Sequence, residues 1–120
     1  MAPHRVLVVD DEFLVRIGTA ETLKSAGFDV AEASDVESAL ALLRQDAGIN
    51  LVCTDVHMPG EQNGVDLALW VRAHRPDTKI IVMSGYSTRW DCQPDIPFLA
   101  KPYNADHLVE LARELLDGVA

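Results

Sequence analysis

The strongest constraint on the fold is a regular alternation between short apolar runs and longer segments with the apolar spacing of a helix. The first run contains Val-Leu-Val-Val without polar alternation, which is typical of a strand covered on both faces. Strands that alternate with helices favour right-handed crossovers and a parallel sheet. The pattern therefore predicts a doubly wound α/β domain with helices on both faces of the sheet. The predicted strands are Arg5–Asp10, Phe28–Ala33, Leu51–Thr54, Lys79–Met83 and Phe98–Ala100.

The first helix follows the first strand and has an apolar side that includes Val15, Thr19 and Leu23. Gly27 is expected to end it, because glycine readily adopts the left-handed conformation found just after many helices. Gly18 lies inside this helix, where glycine costs about 1 kcal/mol relative to alanine. We therefore expect close packing at Gly18.

Three further helices are predicted from capping residues and apolar spacing. Ser34 with Glu37 forms the pattern of a capping box at the start of the second helix. The third runs over residues 64–74 and ends before Pro76, which cannot continue a helix. Asn104 is expected to cap the last helix.

The segment between the fourth and fifth strands differs from the other connections. Residues 84–97 contain a glycine and two prolines and show no apolar period, which predicts a loop with at most a short helix. Tyr86 and Trp90 lie in this segment, and they could cover a site or fill the space of a lost helix. Both alternatives stay open on the sequence alone.

Length and charge narrow the class of protein. The chain of 120 residues suits one compact domain, so residues 1–120 are predicted to form a single domain. The formal net charge of −9 opposes binding to nucleic-acid phosphates and to anionic lipid. The apolar runs are far shorter than the ~20 residues needed to span a bilayer, and the first residues lack the apolar stretch of a signal peptide. We therefore expect a cytoplasmic protein with no nucleic-acid or membrane partner.

Polar residues lie at the ends of four of the predicted strands: Asp10, Asp11 and Glu12 close the first, Asp55 the third, Ser84 the fourth and Lys101 the fifth. In doubly wound sheets ligands bind beyond the carboxyl ends of the strands, so these side chains are expected to lie together. Three carboxylates in one crevice repel each other unless a cation holds them, and oxygen ligands favour Mg²⁺. A lysine and a hydroxyl supply the charge and the hydrogen bond that a phosphoryl group needs. The sequence therefore predicts a site for a phosphoryl group on a carboxylate.

Each of these motifs also has a purely structural explanation. An acidic run after a strand often caps a helix, and a Lys-Pro pair often forms only a turn. Asp55 could be a loop carboxylate, and Ser84 could belong to a turn. These explanations lose force because all four motifs occur at strand ends of the same predicted sheet.

The sequence resembles the receiver domain of two-component response regulators over essentially its whole length. The resemblance implies a five-stranded sheet with the flavodoxin-like strand order 2-1-3-4-5. It also implies a phosphoacceptor of two-component or phosphorelay signalling that catalyses only its own phosphorylation and dephosphorylation and is otherwise not an enzyme. The motifs that carry it are Val-Leu-Val-Val-Asp-Asp-Glu at 6–12, Thr-Asp-Val-His-Met-Pro-Gly at 54–60, Val-Met-Ser-Gly-Tyr at 82–86 and Phe-Leu-Ala-Lys-Pro-Tyr at 98–103.

The resemblance also implies a set of metal ligands. Asp11, Asp55 and the backbone carbonyl of His57 would ligate Mg²⁺, and Asp10 would act through water. The side chain of His57 would border the attacking water, although a solvated loop histidine is the simpler explanation of that residue.

A second implied set of residues handles the phosphoryl group. Asp55 would accept it from a phosphohistidine, Lys101 would pair with its oxygens, and the Ser84 hydroxyl would move to bond one of them. Phe98 matches the aromatic switch position, three residues before the lysine.

The chain departs from the usual family pattern between Ser84 and Lys101, where it is shorter by roughly a turn and a half of helix. The fourth helix of that pattern, between the fourth and fifth strands, is therefore predicted to be short or missing. The chain resembles a stand-alone receiver of that type, or a receiver cut from a larger protein. The implied partners are a sensor histidine kinase or histidine phosphotransfer protein and a downstream protein target. The implied state is a monomer or a weak phosphorylation-dependent dimer.

Two other classes of function remain open on the sequence. A phosphatase or phosphotransferase could form an aspartyl-phosphate on a similar sheet, but it would usually need an acid two residues after the nucleophile, where this chain has His57. A degenerate receiver would bind partners without taking phosphate. The complete set of acidic, hydroxyl and lysine residues favours a phosphorylated receiver over both.

Overall fold

The five strands form one parallel sheet in the order 2-1-3-4-5, numbered along the chain, as the family resemblance implies. The computed structural model describes residues 4–56, 63–84, 96–101 and 103–117. Within these ranges no helix is both long and apolar enough to cross a membrane. The strands are β1 (Arg5–Val9), β2 (Asp29–Ala33), β3 (Ile49–Asp55), β4 (Lys79–Ser84) and β5 (Phe98–Ala100). The helices are α1 (Phe13–Ser25), α2 (Val36–Gln45), α3 (Gly64–His74) and α4 (Ala105–Asp117).

Helices cover both faces of the sheet, which confirms the doubly wound prediction. Alternate residues of β1 enter two different cores: Leu7 and Val9 pack with α2 and α3, whereas Val6 and Val8 pack with α1 and α4. All four side chains are fully buried. The unbroken apolar run of β1 is thus explained by burial on two sides. The expected shortening of the family's fourth helix falls mainly on residues 85–95, which lie outside the described residues.

The second helix begins one residue later than the capping-box prediction placed it. Asp35, rather than Ser34, is the N-cap, and its carboxylate accepts a hydrogen bond from the Ser38 N–H at 2.7 Å. This bond lowers the pKa of Asp35, because it favours the ionised carboxyl group. A carboxylate at a helix N-terminus also interacts favourably with the helix dipole, which a serine hydroxyl does much less.

The two glycines of the first crossover differ in their roles. Gly27 has φ 99°, which confirms that a left-handed residue ends α1. The prediction of close packing at Gly18 is wrong: Gly18 is exposed, and a Cβ built there meets nothing within 4 Å. Nothing in the structure explains why this position carries glycine.

Candidate functional site

The strands end together at one edge of the sheet, which we call the carboxyl edge. Asp10 is the first residue beyond β1, Asp55 and Ser84 are the last residues of β3 and β4, and Lys101 is the first beyond β5. The Lys101 N–H donates to the Ser84 carbonyl at 2.8 Å, which sets these two residues side by side. The parallel register therefore brings polar residues from distant parts of the sequence to one place.

Three carboxylates converge at the carboxyl edge. Asp10, Asp11 and Asp55 each bring an oxygen atom to within 4.8 Å of those of the other two. Asp10 is fully buried and Asp55 nearly so, whereas Asp11 is exposed to solvent. A set of carboxylate oxygens with one member open to water has the chemistry of a site for a hard divalent cation.

Lys101 is the cation that faces these carboxylates. Its Nζ lies 2.8 Å from Asp10 Oδ2 and 3.5 Å from Asp55 Oδ2, and its side chain is only 14% exposed. Burial alone lowers the pKa of Lys101, but the hydrogen bond and charge of Asp10, followed by those of Asp55, raise it above its ordinary value. The lysine is therefore held in its charged form between two carboxylates.

Asp55 is not fully compensated by this lysine. Burial raises its pKa, Lys101 acts in the opposite direction, and the charge of Asp10 raises it further. The net shift is upward, so the ionised form of Asp55 is disfavoured relative to an exposed aspartate. The carboxyl edge would therefore gain stability from an additional cation.

The two oxygens of Asp10 are both engaged by the protein. Oδ1 accepts a hydrogen bond from the Glu12 N–H at 2.9 Å, and Oδ2 accepts one from Lys101 at 2.8 Å. A ligand that binds Asp10 directly would have to share or replace one of these bonds. Asp11 and Asp55 are the more available carboxylates.

Two polar contacts near the site were not found by sequence reasoning. Arg16 donates to the Asp10 carbonyl at 3.0 Å and to the Glu32 carboxylate at 3.1 Å, so it links the ends of β1 and β2 beside the site. The hydroxyls of Thr19 and Tyr103 form a hydrogen bond that ties α1 to the residues just after Lys101. A basic residue one helical turn after the acidic run was the only sequence signal for the first contact, and the second had none.

The structure brings together most of the residues that the sequence singled out. Asp10, Asp11, Asp55 and Lys101 form one cluster, and Ser84 lies beside it at the end of β4 with only 3% of its surface exposed. His57 lies outside the described residues, as do Tyr86 and Trp90. Phe98 is half-buried on β5 and packs against the core shared with α2 and α3.

Comparison with known families agrees with this arrangement. The model of the response regulator receiver domain matches residues 6–113, which include all five strands and the residues of the carboxyl edge. This chain is a response regulator receiver domain. Members of the family act as phosphoacceptors in two-component signalling, typically with Mg²⁺, and interact with histidine kinases and downstream targets.

Individual relatives of this receiver domain support the assignment. The sensor kinase CckA of Brucella abortus is 34% identical over 93% of the chain. A CheY-like receiver from Methanospirillum hungatei is 26% identical, with a TM-score of 0.88 over 97% of this chain and 95% of that one. The response regulator TrrA of Thermotoga maritima, solved in complex with Mg²⁺-BeF, is 34% identical, with a TM-score of 0.85 over 93% of this chain and 98% of that one.

The full-length curated relatives are much longer than this receiver domain. The chain spans 12% of the sensor kinase and about a quarter of the next regulators it matches. The similarity therefore concerns the receiver domain alone, and the activities of those whole proteins do not transfer with it.

Proposed function

We propose that Asp55 is the phosphoacceptor and that it takes a phosphoryl group from the phosphohistidine of a sensor histidine kinase or a histidine phosphotransfer protein. The observation that supports this most is the place of Asp55, at the end of the central strand with Lys101 at 3.5 Å and two further carboxylates beside it. A carboxylate oxygen of Asp55 would attack phosphorus, the P–N bond would break, and the imidazole would leave with its electron pair. The product is an acyl phosphate on Asp55.

The carboxylate set at the carboxyl edge fits Mg²⁺. Asp11 and Asp55 would bind it directly, because both oxygens of Asp10 are already bonded, and Asp10 would act through water. The carbonyl of His57 would complete the protein ligands. When bound, the ion supplies positive charge that offsets the charge on the phosphoryl oxygens.

Lys101 and Ser84 would hold the phosphoryl group once it is on Asp55. Lys101 now donates to Asp10 at 2.8 Å and would move its hydrogen bond to a phosphoryl oxygen. Ser84 lies next to the lysine, through the bond between the Lys101 N–H and the Ser84 carbonyl, and its hydroxyl would donate to a second oxygen. The added negative charge thus has a cation and a hydrogen-bond donor within reach.

We further propose that residues 1–120 form one receiver domain that signals in the cytoplasm through protein contacts, as a monomer or a weak phosphorylation-dependent dimer. A net charge of −9 argues against direct binding to nucleic acid or to an anionic membrane surface. In the proposed reaction the group that accepts the phosphoryl group belongs to the protein itself, at Asp55. The domain would therefore catalyse only its own phosphorylation and dephosphorylation.

Incubation with acetyl phosphate and Mg²⁺, followed by intact mass measurement, tests this function. The wild type should gain the mass of one phosphoryl group, and EDTA should prevent the gain. Asp55→Asn should gain none, whereas Asp77→Asn, which removes an exposed carboxylate before β4, should behave as the wild type. The absence of an adduct in the wild type would indicate a degenerate receiver, and an equal adduct in Asp55→Asn would contradict the assignment of Asp55.

A further inference from the structure

The first residue of α3 lies directly against the backbone of Asp55. A Cβ built on Gly64 would stand 1.9 Å from the Asp55 carbonyl oxygen, 2.8 Å from its carbonyl carbon and 3.0 Å from the Val56 Cα. We propose that Gly64 is a positioning residue for Asp55: its missing side chain lets α3 pack against the peptide that carries the acceptor carboxylate. This inference rests on the proposed role of Asp55.

The glycine is needed for space and not for its backbone angles. Among the described residues only Gly27 has a positive φ, so alanine could adopt the backbone conformation of Gly64 without strain. Gly18 has open space around it, and a Cβ on Gly48 would meet only a side-chain oxygen of Asp46, at 3.1 Å. Of the glycines described here, Gly64 alone faces backbone atoms at a distance that no side chain allows.

Both partners in this contact are held firmly. The Gly64 N–H donates to the Val56 carbonyl at 2.9 Å, and the Val56 N–H donates to the Met83 carbonyl at 3.0 Å, so the contact is tied into the sheet. On the helix side, Asn63 and Asp66 form a reciprocal capping box. An added methyl group therefore cannot be accommodated by the movement of a flexible side chain.

The core behind α3 limits how far the helix can retreat. Leu67 and Ala68, one turn after Gly64, are fully buried against the sheet. Moving α3 away from β3 would open space in this core, whereas a rotation of the peptide after Asp55 would strain mainly the hydrogen bond from the Val56 N–H to the Met83 carbonyl. We therefore expect a side chain at position 64 to displace the Asp55 peptide.

A displaced Asp55 peptide would misplace the acceptor carboxylate. That carboxylate lies 3.5 Å from Lys101 and within 4.8 Å of its two acidic neighbours. Relief of the Gly64 contact requires a shift of roughly 1 Å, and a misplacement of that size at a reacting group can reduce a rate about 100-fold. Gly64→Ala should therefore slow phosphorylation much more than a variant that loses stability without displacing Asp55.

The test compares Gly64→Ala with two controls. Leu67→Ala leaves a cavity under the same helix but adds no atom near Asp55, so it matches the loss of α3 packing. Gly18→Ala makes the same chemical change in open space. The first readout is the phosphorylation rate per folded molecule at saturating acetyl phosphate and Mg²⁺, with near-ultraviolet circular dichroism giving the folded fraction. The second readout is the amide NMR shifts of Asp55 and Lys101 without metal.

The inference predicts a rate reduced about 100-fold in Gly64→Ala, with shifted Asp55 and Lys101 resonances in the metal-free protein. Both controls should stay within about twofold of the wild type. If Gly64→Ala is only partly folded, trimethylamine N-oxide, which favours compact states without binding the site, allows the same measurement. A normal rate in the folded variant, or an equal loss in Leu67→Ala, would overturn the positioning role. A wild type that is never phosphorylated would instead overturn the proposed function.

Discussion

The two edges of the sheet differ in how fully their charged side chains are paired within the fold. At the amino edge, where the strands begin, Arg5 forms ion pairs with Asp29 at 2.9 Å and Asp46 at 2.6 Å. Arg75, just after α3, donates to the backbone carbonyl of Leu43 in the last turn of α2 and to that of Ala47 in the α2–β3 connection. Both arginines have partners supplied by the fold itself.

At the carboxyl edge the charges do not balance. Three carboxylates converge there and one lysine pairs with two of them, and the pKa of Asp55 is raised chiefly because the group is buried, despite the nearby Lys101. Under the proposed function, charge at the amino edge stabilises the fold, whereas charge at the carboxyl edge serves the metal ion and the phosphoryl group. Substitutions at the amino edge should therefore change stability, and those at the carboxyl edge should change binding and phosphorylation.

The largest expected effect on stability is at Arg75. Arg75→Ala would remove the donor to carbonyls at the end of α2 and in the α2–β3 connection, and hydrogen bonds to charged groups are worth about 1.5–3 kcal/mol. We expect a loss of about 2–3 kcal/mol in urea unfolding and an unchanged phosphorylation rate in the folded protein. Arg75→Lys should recover only part of the stability, because lysine lacks the planar fork. A slower phosphorylation rate with unchanged stability would contradict the purely stabilising role of charge at the amino edge.

The next effect is on metal affinity. Lys101→Met removes the cation that lies 2.8 Å from Asp10 and 3.5 Å from Asp55, so Mg²⁺ no longer competes with it. We expect Mg²⁺ to bind about tenfold more tightly while phosphorylation slows, since the phosphoryl oxygens lose their lysine. Lys24→Met, which removes an exposed lysine from α1, is the control for net charge. Weaker Mg²⁺ binding in Lys101→Met, measured by titration, would show that the lysine supports the metal site.

Asp55→Asn should have a smaller effect, in the stabilising direction and dependent on pH. Because the folded pKa of Asp55 is raised, the unfolded chain ionises first as pH rises, and folding stability falls between the unfolded and folded pKa values. The variant avoids this loss. Without metal, its advantage in urea unfolding should therefore be absent below about pH 4 and present near neutral pH. A variant less stable than the wild type at neutral pH would mean that Lys101 outweighs burial.

The smallest effect is expected at Gly18, on the exposed side of α1. Gly18 is exposed in α1 with open space around it, so alanine should raise stability by up to about 1 kcal/mol. Phosphorylation should not change. A loss of stability in thermal unfolding would reveal a role for this glycine that the packing does not show.

The strand pattern predicts the fold and most of the site from the sequence. Unbroken apolar runs mark buried parallel strands, and the residues at their carboxyl ends, such as Asp10 and Asp55, must then meet at one edge. The N-cap of α2 was misplaced because Ser34 and Asp35 are both good capping residues, and the choice depends on backbone geometry. The contact of Gly64 with Asp55 has no local signal, because it depends on how closely α3 approaches β3.

Phosphorylation of Asp55 at the carboxyl edge can be tested by chemical trapping of the acyl phosphate. Borohydride reduces an acyl phosphate to an alcohol and so converts a phosphorylated aspartate to homoserine. After treatment with acetyl phosphate and Mg²⁺, peptide mass mapping should find homoserine at Asp55 and unmodified aspartate at Asp10 and Asp11. Homoserine at Asp10 or Asp11, or a phosphorylated protein with no reducible aspartate, would contradict the assignment of Asp55 as the phosphoacceptor.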